Sequence, residues 1–187
     1  RTSWNVDGYL KLDQVFNRDE VTFFSDELDR IRGEPGWEPV RDPKMPIGHY
    51  GWLPHADDLN ANGFMDRRDL LPYGEAFVDL VDRNPVFDFI VDIMGPNILL
   101  SMTQAIVRHS TDKFPGYTHT DGGEGLRRIR VTETSLPLAV KAMYLLTDVD
   151  ETDSANFTVF PGSHMRPFPF DAKPPVTPYS PGAAQLT

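Results

Sequence analysis

The stretch Tyr117-Thr118-His119-Thr120-Asp121-Gly122-Gly123 decides how the rest of the chain is interpreted. It follows an apolar, β-compatible run at residues 98–107 and leads into a polar loop. On an extended backbone, side chains two residues apart point to the same face, so the imidazole of His119 and the carboxylate of Asp121 can converge on one cation. They would supply two ligands of a 2-His-1-carboxylate site, which leaves positions open on non-haem Fe(II). A His-x-Asp pair also occurs by chance, and the surrounding sequence has to separate the two interpretations.

The composition excludes several classes of protein. The 187 residues include 28 acidic and 18 basic ones, a net charge of −10, which argues against nucleic acid or an anionic membrane surface as a partner. No long apolar run and no signal peptide are visible, so we expect a cytoplasmic protein. The chain has no cysteine, which leaves histidine and carboxylate as its strong metal ligands. Its length predicts a single domain over residues 1–187.

The first half of the chain predicts helices. Asn17 with Glu20 three residues later is a capping-box pattern. An apolar stripe at helical spacing follows: Val21, Phe24, Leu28 and Ile31. Shorter helices are predicted at residues 73–82 and 85–94. Between them and the first helix, residues 34–54 carry prolines and aromatic residues, which predicts a loop that either lines a pocket or packs on the core.

Strand-like runs are found mainly in the second half. They lie at residues 9–12, 98–107, 138–147 and 156–160, and turns separate them. Helices followed by several strands indicate an α+β chain with a mainly β core, either a sandwich or a barrel. A jelly roll of the cupin type is one such core.

Five short blocks then occur in a characteristic order. They are Gly8-Tyr9-Leu10, Gly95-Pro96-Asn97, His119-Thr120-Asp121-Gly122-Gly123, Leu146-Thr147-Asp148 and Pro161-Gly162-Ser163-His164. Because of these blocks, the segment of residues 6–166 resembles the phytanoyl-CoA dioxygenase family. Members of that family are Fe(II)- and 2-oxoglutarate-dependent oxygenases built on a double-stranded β-helix, a jelly roll. The resemblance implies that fold here, with the helices at its N-terminal side.

The resemblance also implies roles for a few residues. His119 and Asp121 fall on the first two iron ligands. Gln104, on the strand after the second block, and Tyr144, just ahead of the fourth block, match positions that face 2-oxoglutarate. A slip of one residue in strand register would turn either side chain outward. The structural alternatives are that the Gln104 side-chain amide only makes hydrogen bonds within its strand region and that Tyr144 is an aromatic residue of the core.

By residue type alone, His164 could be the second histidine of the iron triad. The family, however, takes its third ligand from a later strand and, further on, an arginine for the distal carboxylate of 2-oxoglutarate. We therefore interpret His164 as a structural turn residue and expect both missing residues beyond Thr187. A jelly roll needs about eight strands, more than the runs above supply, which predicts that the sequence is truncated at its C-terminal end.

The reaction implied by the resemblance is oxidation of a small-molecule metabolite by O2, with 2-oxoglutarate converted to succinate and CO2. Asp121 is present where related halogenases carry a small residue, so hydroxylation, desaturation or ring closure is favoured over halogenation. The identity of the metabolite stays open. Two alternatives also stay open: a non-catalytic cupin-like module that binds a metal or small ligand, and a hydrolytic or isomerising cupin with another divalent metal.

Overall fold

The computed structural model describes residues 2–32, 65–107, 119, 129, 134–165 and 176–187. The chain divides into two compact units, which are described separately. The first unit contains residues 1–15, 88–98 and 118–187, and the second contains residues 16–87 and 99–117.

Within the described ranges, the helices are α1 (Thr2–Asp7), α2 (Arg18–Arg32), α3 (Glu75–Asp79) and α4 (Val86–Met94). The strands are β1 (Met65–Arg68), β2 (Gln104–Val107), β3 (Thr158–Val159) and β4 (Ala184–Gln185). Short 3-10 turns occur at Leu71–Tyr73 and Ser163–Met165. None of the described helices combines the length and the apolar character needed to cross a bilayer.

Helix α2 begins as the capping-box pattern predicts. Asn17 Oδ1 accepts a hydrogen bond from the backbone N–H of Glu20, and the Glu20 carboxylate accepts one from the backbone N–H of Asn17, each at 2.9 Å. The Asn17 N–H, followed by the Arg83 guanidinium, holds the pKa of Glu20 below its usual range. Arg83 lies 2.8 Å from the Glu20 carboxylate and stacks over the Phe16 ring. The start of α2 is thereby tied to the segment that precedes α4.

The predicted apolar stripe of α2 faces the core of the second unit. Phe24 and Ile31 are buried, and Val21 and Leu28 are half-buried. The ring of Phe24 lies 5.7 Å from that of Phe77, a buried residue of α3. The helical period of the sequence therefore identified the buried face correctly.

Strands β1 and β2 form an antiparallel pair in the second unit, with Arg68 opposite Gln104. Met65 and Ala105 are buried on one face of this pair, whereas Ile106 on the other face is 44% exposed. The strand predicted at residues 98–107 is thus confined to its last four residues. The Asp69 N–H still donates to the carbonyl of Thr103 at 3.0 Å. Pairing ends there, because Asp69 adopts a φ of 59° and the next amide, that of Leu70, donates to the side chain of Thr103.

Two other runs predicted as strands, residues 9–12 and 138–147, are irregular. A strand requires a neighbouring backbone to complete its ladder, and no described segment pairs with either run. The run predicted at residues 156–160 does contain β3, which pairs antiparallel with β4. The helix predicted at residues 73–82 is shortened to α3, because the amide of Val81 bonds back to Val78 in a tight turn. Helix α1 was not predicted.

The described strands form two separate two-stranded sheets. The jelly roll is not seen among them and stays a prediction for the chain, as does the single domain over residues 1–187. The loop predicted at residues 34–54 lies outside the described residues.

In the first unit, Asp153 connects the turn that precedes β3 with strand β4. Its carboxylate accepts hydrogen bonds from the Tyr179 hydroxyl and the Gln185 side-chain amide, each at 2.9 Å. Its backbone N–H donates to the Gln185 side-chain carbonyl at 2.7 Å. The Gln185 amide, followed by the Tyr179 hydroxyl, holds the pKa of Asp153 below its usual range. Asp153 raises the pKa of Tyr179 in return.

The charge of Asp153 is expected to stabilise this unit in a pH-dependent way. Because the folded-state pKa lies below the unfolded value, the contribution is complete above about pH 5 and is lost as the pH falls through the folded pKa. Asp153→Asn keeps an acceptor oxygen and removes the charge. Urea unfolding should show this variant less stable than wild type at neutral pH, with the difference shrinking toward about pH 2. Asp150→Asn is the matched control, because Asp150 is exposed and lies just before the turn of Asp153. An equal loss there would contradict the prediction.

Candidate metal site and its neighbours

One of the two predicted iron ligands is described. His119 is exposed, is in neither a helix nor a strand, and belongs to the first unit. Asp121 and the two glycines after it lie outside the described residues. The pairing of the two side chains therefore stays a prediction based on their spacing in the sequence.

Within the described ranges, no three histidine or acidic side chains lie close enough together to hold a metal ion. The predicted ligand set includes Asp121, which lies outside those ranges. The fit to Fe(II) consequently depends on donor chemistry: an imidazole nitrogen and a carboxylate oxygen are the ligand types of facial-triad iron sites.

Gln104 is the first residue of β2 and is half-buried. It alternates with the buried Ala105, so it lies on the face of the β1–β2 pair opposite to Met65 and Ala105. Arg68 is directly across the ladder from Gln104 and is also half-buried. Directly opposed side chains share one face and have Cβ atoms about 5 Å apart, so Arg68 and Gln104 start from the same face of the β1–β2 pair.

Arg68 was not among the site residues predicted from the sequence. Its neighbour Arg67 points to the other face, where the guanidinium binds the hydroxyl and stacks over the ring of Tyr73. From the sequence the two arginines are indistinguishable, and only the register with β2 separates them. The signal that could have found Arg68 is therefore the pairing partner of Gln104, which lies 36 residues away in the chain.

Tyr144 is half-buried in the irregular run 138–147 of the first unit. The strand on which its assignment depended is absent from this described segment. The alternation of faces nevertheless persists locally, because Tyr144 and Leu146 are half-buried while Met143 and Leu145 are 48% and 57% exposed. A role toward 2-oxoglutarate stays a prediction for Tyr144, as it does for Gln104, which belongs to the second unit.

His164 has the contacts of a structural turn residue. It lies in the 3-10 turn Ser163–Met165, and its ring centroid is 6.4 Å from that of Trp4 in α1. Gly162, two residues before His164, donates its backbone N–H to the carbonyl of Asp7 at 2.9 Å. The turn was predicted from its Pro-Gly sequence, whereas its partner α1 was not.

No protein-family model, no curated protein and no solved structure matches this chain. The family resemblance therefore depends on the five sequence blocks, and the roles of the site residues are proposals.

Proposed function

We propose that this chain belongs to a non-haem Fe(II)- and 2-oxoglutarate-dependent dioxygenase of the phytanoyl-CoA dioxygenase type. It hydroxylates or otherwise oxidises a small-molecule metabolite in the cytoplasm and releases succinate and CO2. The single observation that carries the proposal is the His119-Thr120-Asp121 spacing, placed in order among the four other blocks. The exposure of residue His119 supports it, since a metal ligand beside open coordination positions must be reachable.

The two predicted iron ligands differ in the donor atom and the charge that they offer. His119 would offer a neutral nitrogen, and Asp121 a carboxylate whose charge offsets part of the charge of a divalent cation. The chemistry supplied by bound Fe(II) is activation of dioxygen, coupled to conversion of 2-oxoglutarate into succinate and CO2.

Gln104 and Tyr144 would orient the cosubstrate. Both are half-buried, and a partly buried hydrogen-bonding group holds a ligand in place more firmly than an exposed one.

The test uses protein that carries the complete gene product. Anaerobic addition of Fe(II) and 2-oxoglutarate should produce the weak visible charge-transfer band of a chelated cosubstrate, and aerobic turnover should yield succinate. His119→Ala and Asp121→Ala should each abolish the band, because each removes a ligand. His55→Ala is the matched control, a histidine outside the proposed ligand set, and should retain the band.

Wild-type protein that shows neither the band nor succinate formation would contradict the proposal. If such protein still bound a divalent metal or a small ligand, the chain would be interpreted as a non-catalytic cupin-like binding module and not as an oxygenase. A band that survives in both ligand variants would show that the iron site lies elsewhere.

A further inference from the structure

Residues 2–11, here called the strap, comprise α1 and the irregular segment that follows it. Helix α1 docks on the chain just after β3. The Trp4 ring of the helix lies 6.4 Å from the ring of His164 and is tilted by 54° against it. The carbonyl of Asp7 accepts a hydrogen bond from the Gly162 N–H at 2.9 Å. The strap is therefore attached at the end of β3.

Gly8 keeps this first attachment close. Its φ is 82°, and its amide bonds back to the carbonyl of Trp4 at 2.9 Å, which closes the helix. A Cβ built on Gly8 would overlap the ring of His164. The strap backbone thus approaches the ring more closely than a residue with a side chain would allow.

The strap is attached a second time, at the end of β4. The Lys11 ammonium donates to the backbone carbonyl of Thr187 at 2.6 Å and lies 3.4 Å from Asp13. Because β3 and β4 are antiparallel, with Thr158 opposite Gln185, the chain leaves β3 and β4 at opposite ends of the pair. The strap therefore contacts the β3–β4 pair at both ends.

Neither the strap nor the β3–β4 pair is expected to be stable alone. Helix α1 has six residues, and isolated helices shorter than about 12 residues are marginal in water. Strands β3 and β4 have two residues each, and an isolated two-stranded pair is marginally stable at best. The contacts between the strap and the pair consequently stabilise both elements at once.

We propose that the strap holds the β3–β4 pair closed, so that undocking of α1 opens the pair in the same cooperative step. The competing account is that Asp153 alone holds β4, through the Tyr179 hydroxyl and the Gln185 amide. In that case the pair would stay closed after release of the strap. The device is independent of the proposed iron chemistry, because it uses neither His119 nor Asp121.

Native-state hydrogen exchange of the whole chain, followed by NMR, measures this opening. The amides of Gly8 and Gly162 report on the docking of α1. The amide of Leu186, which donates to the carbonyl of Phe157 at 2.9 Å, reports on the β3–β4 pair. In wild type, the three amides should share one opening free energy and one urea slope, smaller than the slope of global unfolding. The amide of Asp69, in the second unit, is the reference.

Trp4→Ala tests the first attachment, because it removes the ring that packs on His164. The protection of all three amides should fall by one common factor, roughly 5- to 30-fold, while that of Asp69 stays unchanged. Val6→Ala is the matched control: Val6 lies in the same helix and is 63% exposed. This variant should keep the protection of the three amides within about twofold of wild type.

Lys11→Met tests the second attachment. It keeps the aliphatic stem and removes the ammonium donor to the Thr187 carbonyl. The protection of Leu186 and that of Gly162, at the opposite end of the pair, should fall by a common factor of roughly 2- to 10-fold. A loss confined to Leu186, or no loss at either amide, would reject the proposal.

Protection of Leu186 that survives in Trp4→Ala while Gly8 and Gly162 lose theirs would overturn the proposal in favour of Asp153. Different urea slopes for the three amides in wild type, or exchange only through global unfolding, would overturn it as well. If far-UV circular dichroism shows that Trp4→Ala does not fold, the wild-type slopes and Lys11→Met decide.

Discussion

Replacing Ile31 by alanine is expected to lower the free energy of unfolding by about 2–5 kcal/mol. Ile31 is 0% exposed and lies in the last turn of α2, at the end of the stripe that faces the core of the second unit. The substitution removes three carbon atoms from a closely packed site, so the loss combines the transfer of apolar groups with the cavity left behind. Urea unfolding followed by circular dichroism measures the effect.

The control for this substitution is Val78→Ala. Val78 is also β-branched and helical, belongs to the same unit and is 47% exposed. Val78→Ala is expected to lower the free energy of unfolding by less than about 1 kcal/mol, because no closed cavity forms and alanine favours the helix. Equal losses in the two variants would mean that Ile31 is not part of a close-packed core.

Gly8→Ala is expected to destabilise the first unit by about 2–4 kcal/mol, as the sum of overpacking and backbone strain. The added Cβ would lie 2.4 Å from Nδ1 and 2.6 Å from Cγ of His164, distances at which the ring has to move. The φ of 82° adds the strain of a left-handed conformation for any residue with a side chain. Thermal unfolding, with Trp4 as a local probe, measures the loss.

Gly95→Ala isolates the two causes. Gly95 has nearly the same φ, 84°, and nothing lies within 4 Å of a Cβ placed on it. This variant should therefore show only the backbone strain, about 1–2 kcal/mol. The double variant Gly8→Ala/His164→Ala should recover part of the loss by giving the new methyl group space. If Gly8→Ala and Gly95→Ala cost the same, the contact with His164 is not tight.

Local features of this protein were predictable from the sequence. The reciprocal hydrogen bonds of Asn17 and Glu20 join residues three apart, and the buried face of α2 follows from the helical period alone. The turn that contains His164 depends on Pro161 and Gly162 next to it. The His119-x-Asp121 spacing is local in the same sense, which is why a candidate metal pair could be identified at all.

Tertiary structure decided the features that need a distant partner. The run 138–147 has the composition of a strand, yet it is irregular because no described segment completes its ladder. The register of β1 with β2 placed Arg68, and not Arg67, beside Gln104. Helix α1 docks on a turn more than 150 residues away through His164. A short sequence determines bonds within one helical turn, whereas pairing and docking depend on surfaces that meet only after folding.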